Sequence, residues 1–196
     1  MTQIEIGRLL RAGTAGFTAG CSVSQMSVPS FGALVHVPLG ESYQVYGLIY
    51  DIHIDDDGLV RQLVTSENVS AEVLQDNRER RIVPVEMSVL CVGYEQDGCI
   101  HHLLPPRPPL SLDMICLCDD AEIARFTEKL GYFRHILRST DIPIGEVLAA
   151  HLARASRAHG PNADAWKEKA ARELIVLMRD DYDSLMSVLH ALGEVL

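Results

Sequence analysis

The chain has 196 residues, of which 47% are hydrophobic and 22% charged, with a formal net charge of −10. That composition can bury a core and excludes an intrinsically disordered chain. The acidic surplus excludes a general nucleic-acid binder, whose phosphate contacts need a basic surface. Neither half escapes this: residues 1–110 carry 7 basic and 13 acidic groups, and residues 111–196 carry 10 and 14. No apolar run approaches the roughly 20 residues that span a bilayer. The start, Met1 to Ile6, has no basic stretch followed by an apolar one, as a signal peptide would. A cytoplasmic location is therefore expected. The five cysteines, Cys21, Cys91, Cys99, Cys116 and Cys118, are odd in number and fit reduced thiols better than a disulfide framework.

The first hundred residues are punctuated like a β domain, with short Val-, Ile-, Leu- and Tyr-rich runs between Gly, Pro, Asp and Ser. A first strand is expected from Ile4 to Leu10, ending at Arg11-Ala12-Gly13. A second run holds Phe17 and Cys21 to Val23. Phe31 to Val37 reads as a strand closed by Pro38, and Tyr43 to Ile54 as the next. Asp55-Asp56-Asp57-Gly58 is a hairpin signal, with Leu59 to Val64 as the returning partner. Residues 66–81 hold a short helix or a loop. Strand character resumes at Ile82 to Val85 and Met87 to Tyr94, turns at Gln96-Asp97-Gly98, and closes at Cys99 to Leu104. Closely spaced short strands predict a small antiparallel barrel or sandwich.

Pro105-Pro106-Arg107-Pro108-Pro109 forbids a ladder and favours extended chain, as a semi-rigid linker or, by its PxxP spacing, a recognition peptide. After an apolar run from Leu112 to Cys118 the periodicity becomes helical. Asp119 and Glu122 form a capping-box pattern. Ile123, Phe126, Leu130, Phe133 and Leu137 make one apolar stripe. Asp141 and Pro143 open a second helix along Ile144, Val147, Leu148, His151, Leu152 and Ala155, which Gly160-Pro161 ends. Asn162 is placed to cap a third, along Trp166, Ala170, Leu174 and Leu177. Asp180-Asp181 marks a break before Tyr182, Leu185, Met186, Leu189 and Leu192. The expected fold is α+β: a β-barrel over 1–104, a proline-rich hinge at 105–110, and a helical bundle of three to four helices over 111–196.

Chemistry-bearing motifs are sparse. The chain has no Gly-Lys pair, so no phosphate loop of the Walker type, and Gly13, Gly16 and Gly20 do not match a dinucleotide fingerprint. Cys99, His101, Cys116 and Cys118, with His102 beside them, offer the thiolate and imidazole donors that zinc favours, as Cys-x-His and Cys-x-Cys pairs. The same spacing follows from strand alternation with buried free cysteines. Asp55, Asp56 and Asp57 suit either a cation or a solvated turn. No serine or cysteine lies in a nucleophile-elbow pattern. His151 sits on an apolar stripe and is expected to be partly buried; His135, His159 and His190 are expected on helix surfaces. Arg134, Arg138, Arg154 and Arg157 complement helix ends or form a patch for phosphate or an acidic partner.

The N-terminal part resembles a HAS barrel, the small barrel at the front of HerA-type hexameric DNA translocases and of the catalytic subunits of rotary ATP synthases. The resemblance rests on Ile6-Gly7-Arg8-Leu9 as first strand, Phe31 to Val37 as a central strand and Tyr46 to Ile52 as the following one, and covers residues 1 to 105. In that family the barrel is a collar that associates side by side in rings and helps dock a nuclease. The motor that normally follows is expected to be replaced here by helices. The resemblance thus implies a non-catalytic binding or assembly module without a cofactor. Its partner would be a protein, a HerA-like ATPase or its associated nuclease within a DNA-processing complex, and homo-oligomers would form. The alternatives are a zinc enzyme built on the Cys/His cluster and a weak nucleic-acid binder acting through the four helical arginines.

Overall fold

The computed structural model describes residues 4–21, 29–54, 85–140 and 142–193. The expected turn at 55–58, its return strand at 59–64 and the segment 66–81 lie outside the described residues, as does most of the run at 82–85.

Seven strands are present among the described residues: β1 (Ile4–Ala12), β2 (Gly16–Cys21), β3 (Leu34–Pro38), β4 (Tyr43–Ile54), β5 (Val85–Gln96), β6 (Cys99–His101) and β7 (Met114–Leu117). They form one antiparallel sheet in the order β2-β1-β7-β3-β4-β5-β6, and β2 also pairs with β5. That last pairing closes six strands into a barrel and removes its open edges. Cys99 to Leu104 was expected to close the sheet; instead β6 only extends β5 as a hairpin. The hairpin turn is built as read, with Asp97 at φ 51° and Gly98 at φ 79°. The strand that completes the ring is β7, which comes from beyond the prolines and lies between β1 and β3.

Small barrels need strongly bent strands, and the sequence supplies register shifts between Glu5 and Gly7, Leu9 and Arg11, Tyr46 and Gly47, and Ile49 and Asp51. Period-two alternation then sends Ile6, Leu9, Phe17, Val35, Val37, Val45, Ile49, Met87, Val89 and Ile115 into the barrel interior. On the outer face of the same strands, Leu34, Tyr46, Leu48 and Val92 join a second core shared with the helices. β3 and the middle of β4 are therefore buried on both faces.

Five helices follow among the described residues: α1 (Asp120–Thr127), α2 (Phe133–Leu137), α3 (Ile144–Ala158), α4 (Ala163–Leu177) and α5 (Tyr182–Gly193). This corrects the expected three to four. The stripe from Ile123 to Leu137 is not one helix, because the last carbonyls of α1 are captured from outside: Phe126 accepts from His102 Nε2, Thr127 from Trp166 Nε1, and Glu128 from Lys169 Nζ. With those orphan acceptors satisfied and Gly131 next in line, nothing drives the helix onward. The Asp119/Glu122 capping box forms as read, with reciprocal bonds of 2.9 Å. Asn162 stands at the N-cap position of α4 as read, but it also ends a 3₁₀ turn, Gly160–Asn162, and its side chain makes no cap bond. Leu177 is exposed and Met178 is buried in its place. α3 packs against α1, α4 and α5, and no helix among the described residues is long and apolar enough to cross a membrane.

Candidate functional site

The richest polar chemistry lies in the seam where α1 meets β3, β4, β5 and the end of β7. Glu95, buried on β5, accepts a forked pair from Arg125 of α1 at 2.7 and 2.8 Å. It also accepts from the Tyr46 hydroxyl at 2.7 Å and from Gln44 Nε2 at 2.7 Å. Burial alone would raise the Glu95 pKa; the hydrogen bonds from Arg125, Tyr46 and Gln44, with the Arg125 charge, outweigh it and hold the carboxyl below its ordinary range. Burial, reinforced by the bond to Glu95, pushes the Tyr46 phenol up. These four side chains form a satisfied network that orients α1 on the barrel.

Beside it, His36 of β3 is fully buried, and its Nδ1 lies 3.5 Å from Cys118 Sγ and 3.7 Å from Glu122 Oε1. Cys118 follows β7 directly, and its amide bonds to the Leu34 carbonyl at 3.1 Å, so strand pairing sets its position. Glu122 is fixed by its bond to the Asp119 amide. Burial lowers the His36 pKa, with Glu122, Glu95 and Asp119 pulling it up and Arg125 down; burial raises the Cys118 thiol well above its ordinary value. Among the described residues, these three side chains are a group whose donor atoms all lie within 4.8 Å of one another.

A third cluster joins the β6 end to α2. The His102 carbonyl accepts from Arg134 and, at 3.1 Å, from His135 Nε2. His151 is buried deeper, sharing a 2.9 Å hydrogen bond with Tyr132; its Nδ1 has no hydrogen bond of good geometry, and the nearby Gly32 backbone only partly offsets the effect of burial. Burial takes both His102 and His151 down to about 4 from an ordinary 6.5. A histidine depressed in the fold contributes its full stability above the unfolded value and loses it as pH falls towards the folded one. Stability is therefore expected to decline between pH 6.5 and about 4, by up to about 1.4 kcal/mol per pH unit for each histidine. Melting temperature measured against pH checks this: His102→Gln should flatten the slope in that window, and a slope identical to the wild type would reject the assignment.

The outer surface carries an apolar group at one end of the barrel. Leu112 lies 72% exposed and Leu110 70%, next to exposed Leu10. They are held in place: the Leu112 amide donates to Leu9, the Ser111 hydroxyl to Leu10, and Arg8 to the Leu112 carbonyl. Leu112 adopts φ 72°, a conformation that leucine disfavours by roughly 1–2 kcal/mol. The proline segment before it lies on the protein, with Pro105 and Pro109 buried, the Arg107 carbonyl accepting from Tyr43 and the Arg107 guanidinium over the Tyr43 ring.

The residues singled out in the sequence are dispersed. Cys99 is exposed on β6 and His101 stacks on Tyr94, whereas Cys116 and Cys118 are buried in and just after β7. β3, β4 and β5 separate those two pairs in the sheet, and among the described residues the donor group that lies within 4.8 Å includes Cys118 but not Cys99, His101 or Cys116. Arg134 and Arg138 lie on or just after α2, beside His135; Arg154 and Arg157 lie on α3, where Arg157 bonds its own helix at Ala153. His135 and His159 are half-buried rather than surface residues, and His159 stacks on Trp166 and bonds Thr127. Gln44, Tyr46, Glu95, Arg125 and His36 carried no chemical motif, and Glu122 was read only as part of the capping box; a faint signal was His36, which alternation places opposite Val35 and Val37.

No family model matches the chain, and no curated protein matches it.

Proposed function

We propose that the protein is a non-catalytic assembly module. In this reading a HAS-like barrel, backed by its helices as one bundle, presents a docking face to a protein partner. The carrying observation is the pair Leu110 and Leu112, both at least 70% exposed on a pinned loop, with Leu112 in the left-handed region. An apolar side chain held out to water in a strained conformation is stable only because its surroundings over-determine it, and such outliers cluster at functional contacts. The barrel's closed six-strand ring makes that loop a rigid platform.

The partner class follows from the resemblance: a HerA-like ATPase or its associated nuclease, with self-association of the barrels as the accompanying state. Co-purification from native extract followed by light scattering tests this. Leu112→Asp should weaken partner retention at least tenfold, equivalent to about 1.4 kcal/mol, and leave the melting temperature within a few degrees. A wild-type chain that neither retains a partner nor self-associates would sink the proposal.

A further inference from the structure

We infer that His36, Cys118 and Glu122 bind a single borderline-soft divalent cation, with zinc as the natural occupant, at the junction of the barrel and α1. This is independent of the docking reading, since it concerns a buried seam and not the exposed leucines.

The geometry comes first. A tetrahedral zinc with Zn–S near 2.3 Å and Zn–N near 2.0 Å separates those two donors by roughly 3.5 Å. The Cys118 Sγ to His36 Nδ1 distance is 3.5 Å, and His36 Nδ1 to Glu122 Oε1 is 3.7 Å. Two sides of the donor triangle thus stand close to ligand spacing, and the third, from Cys118 to Glu122, lies within 4.8 Å. They come from three separately fixed elements, namely β3, the residue after β7 and the first turn of α1. The strands are locked by the pairing of His36 with Cys116 and of Val35 with Leu117, and Glu122 by the capping box. Little ordering is left for the ion to bring about.

The chemistry agrees. Sulfur, imidazole nitrogen and carboxylate oxygen together suit zinc, while calcium and magnesium require oxygen alone. Thiolate and carboxylate supply two negative charges against the dication, with a neutral imidazole as third ligand, so the loaded site is uncharged overall and compatible with burial. Binding exchanges one proton: the Cys118 thiol loses it to solvent as the sulfur–metal bond forms. His36 and Cys118 are buried while the Glu122 side chain is 25% exposed, which leaves the entry and a fourth position on the Glu122 side for water. An ion there ties Glu122 of α1 to β3 and to the end of β7, whose ligands His36 and Cys118 are 82 residues apart.

Cobalt(II) added to the chelator-stripped full chain supplies the test. One equivalent should produce the near-ultraviolet thiolate-to-metal charge-transfer band and the visible bands of a tetrahedral site. Zinc(II) should displace it and raise the melting temperature. Cys118→Ser should abolish the charge-transfer band, Glu122→Gln should weaken affinity at least tenfold, and Cys99→Ser should retain both. A stripped wild type with no charge-transfer band would overturn the assignment without any variant, and so would a band that survives in a folded Cys118→Ser.

Discussion

Replacing Phe126 with alanine is expected to remove about 3–5 kcal/mol of stability, a large share of the 5–15 kcal/mol typical of a folded domain. The ring is fully buried, with its centroid 4.6 Å from Tyr46 on β4, 4.8 Å from His102 and 5.2 Å from Tyr132. It therefore touches the barrel, the β6 end and the helical layer at once. A side chain on Gly93 would come within 3.1 Å of Cε2, so the bare backbone of β5 lets the ring press onto the strand. Collapse around the vacated space is limited because strand pairing holds one wall and the capping box holds α1. Urea denaturation followed by the fluorescence of the single tryptophan, Trp166, and by circular dichroism measures the effect. Both signals should shift together, since Trp166 bonds the last residue of α1 through the Thr127 carbonyl. A loss under about 1 kcal/mol would contradict the packing described for the seam.

Gly32→Ala is expected to destabilise by about 2–5 kcal/mol, the sum of a left-handed backbone near 1–2 and overpacking near 1–3. Gly32 has φ +76°, and a Cβ there would lie 2.5 Å from Ala150 Cβ and 2.9 Å from the His151 amide nitrogen. The second contact is helix backbone, which cannot swing aside as a long side chain does. Gly98→Ala is the matched control, at φ +79° with nothing within 4 Å of the added carbon. It should show only the backbone part, about 1–2 kcal/mol. The difference between the two variants in melting temperature isolates the close approach of the β3-entry turn to α3. Equal effects would show that the turn does not bear on the helix.

Much of this fold was legible from local pattern. The strands of the first half, the Asp97-Gly98 hairpin, the Asp119/Glu122 capping box and the stripe of α3 are each decided by residues within one or two turns of one another. Such features follow from intrinsic conformational preference and periodicity. The end of α1 was not legible, because what stops it is His102, Trp166 and Lys169 reaching its carbonyls from 24 to 41 residues away. Cys116 and Cys118 were noticed as metal-type residues, yet the partners sought for them, Cys99 and His101, lie across the sheet. The side chains that meet Cys118 are His36 and Glu122, which no spacing rule connects to it.

By itself, then, the sequence determined an acidic α+β chain of short strands followed by amphipathic helices, since charge, alternation and caps are properties of neighbouring residues. Tertiary structure alone decided that Met114–Leu117 slots between β1 and β3, that Glu95 pairs with Arg125, and that His36, Cys118 and Glu122 converge. It also decided that Leu112 stands out in water beside Leu110, although the apolar run that begins at Leu112 carries Ile115 into the barrel interior. The physical reason is that barrel closure is a non-local condition. Which strand fills the last gap depends on the hydrogen-bonding needs of strands already in place, and the side chains it carries inward or outward are chosen by that register.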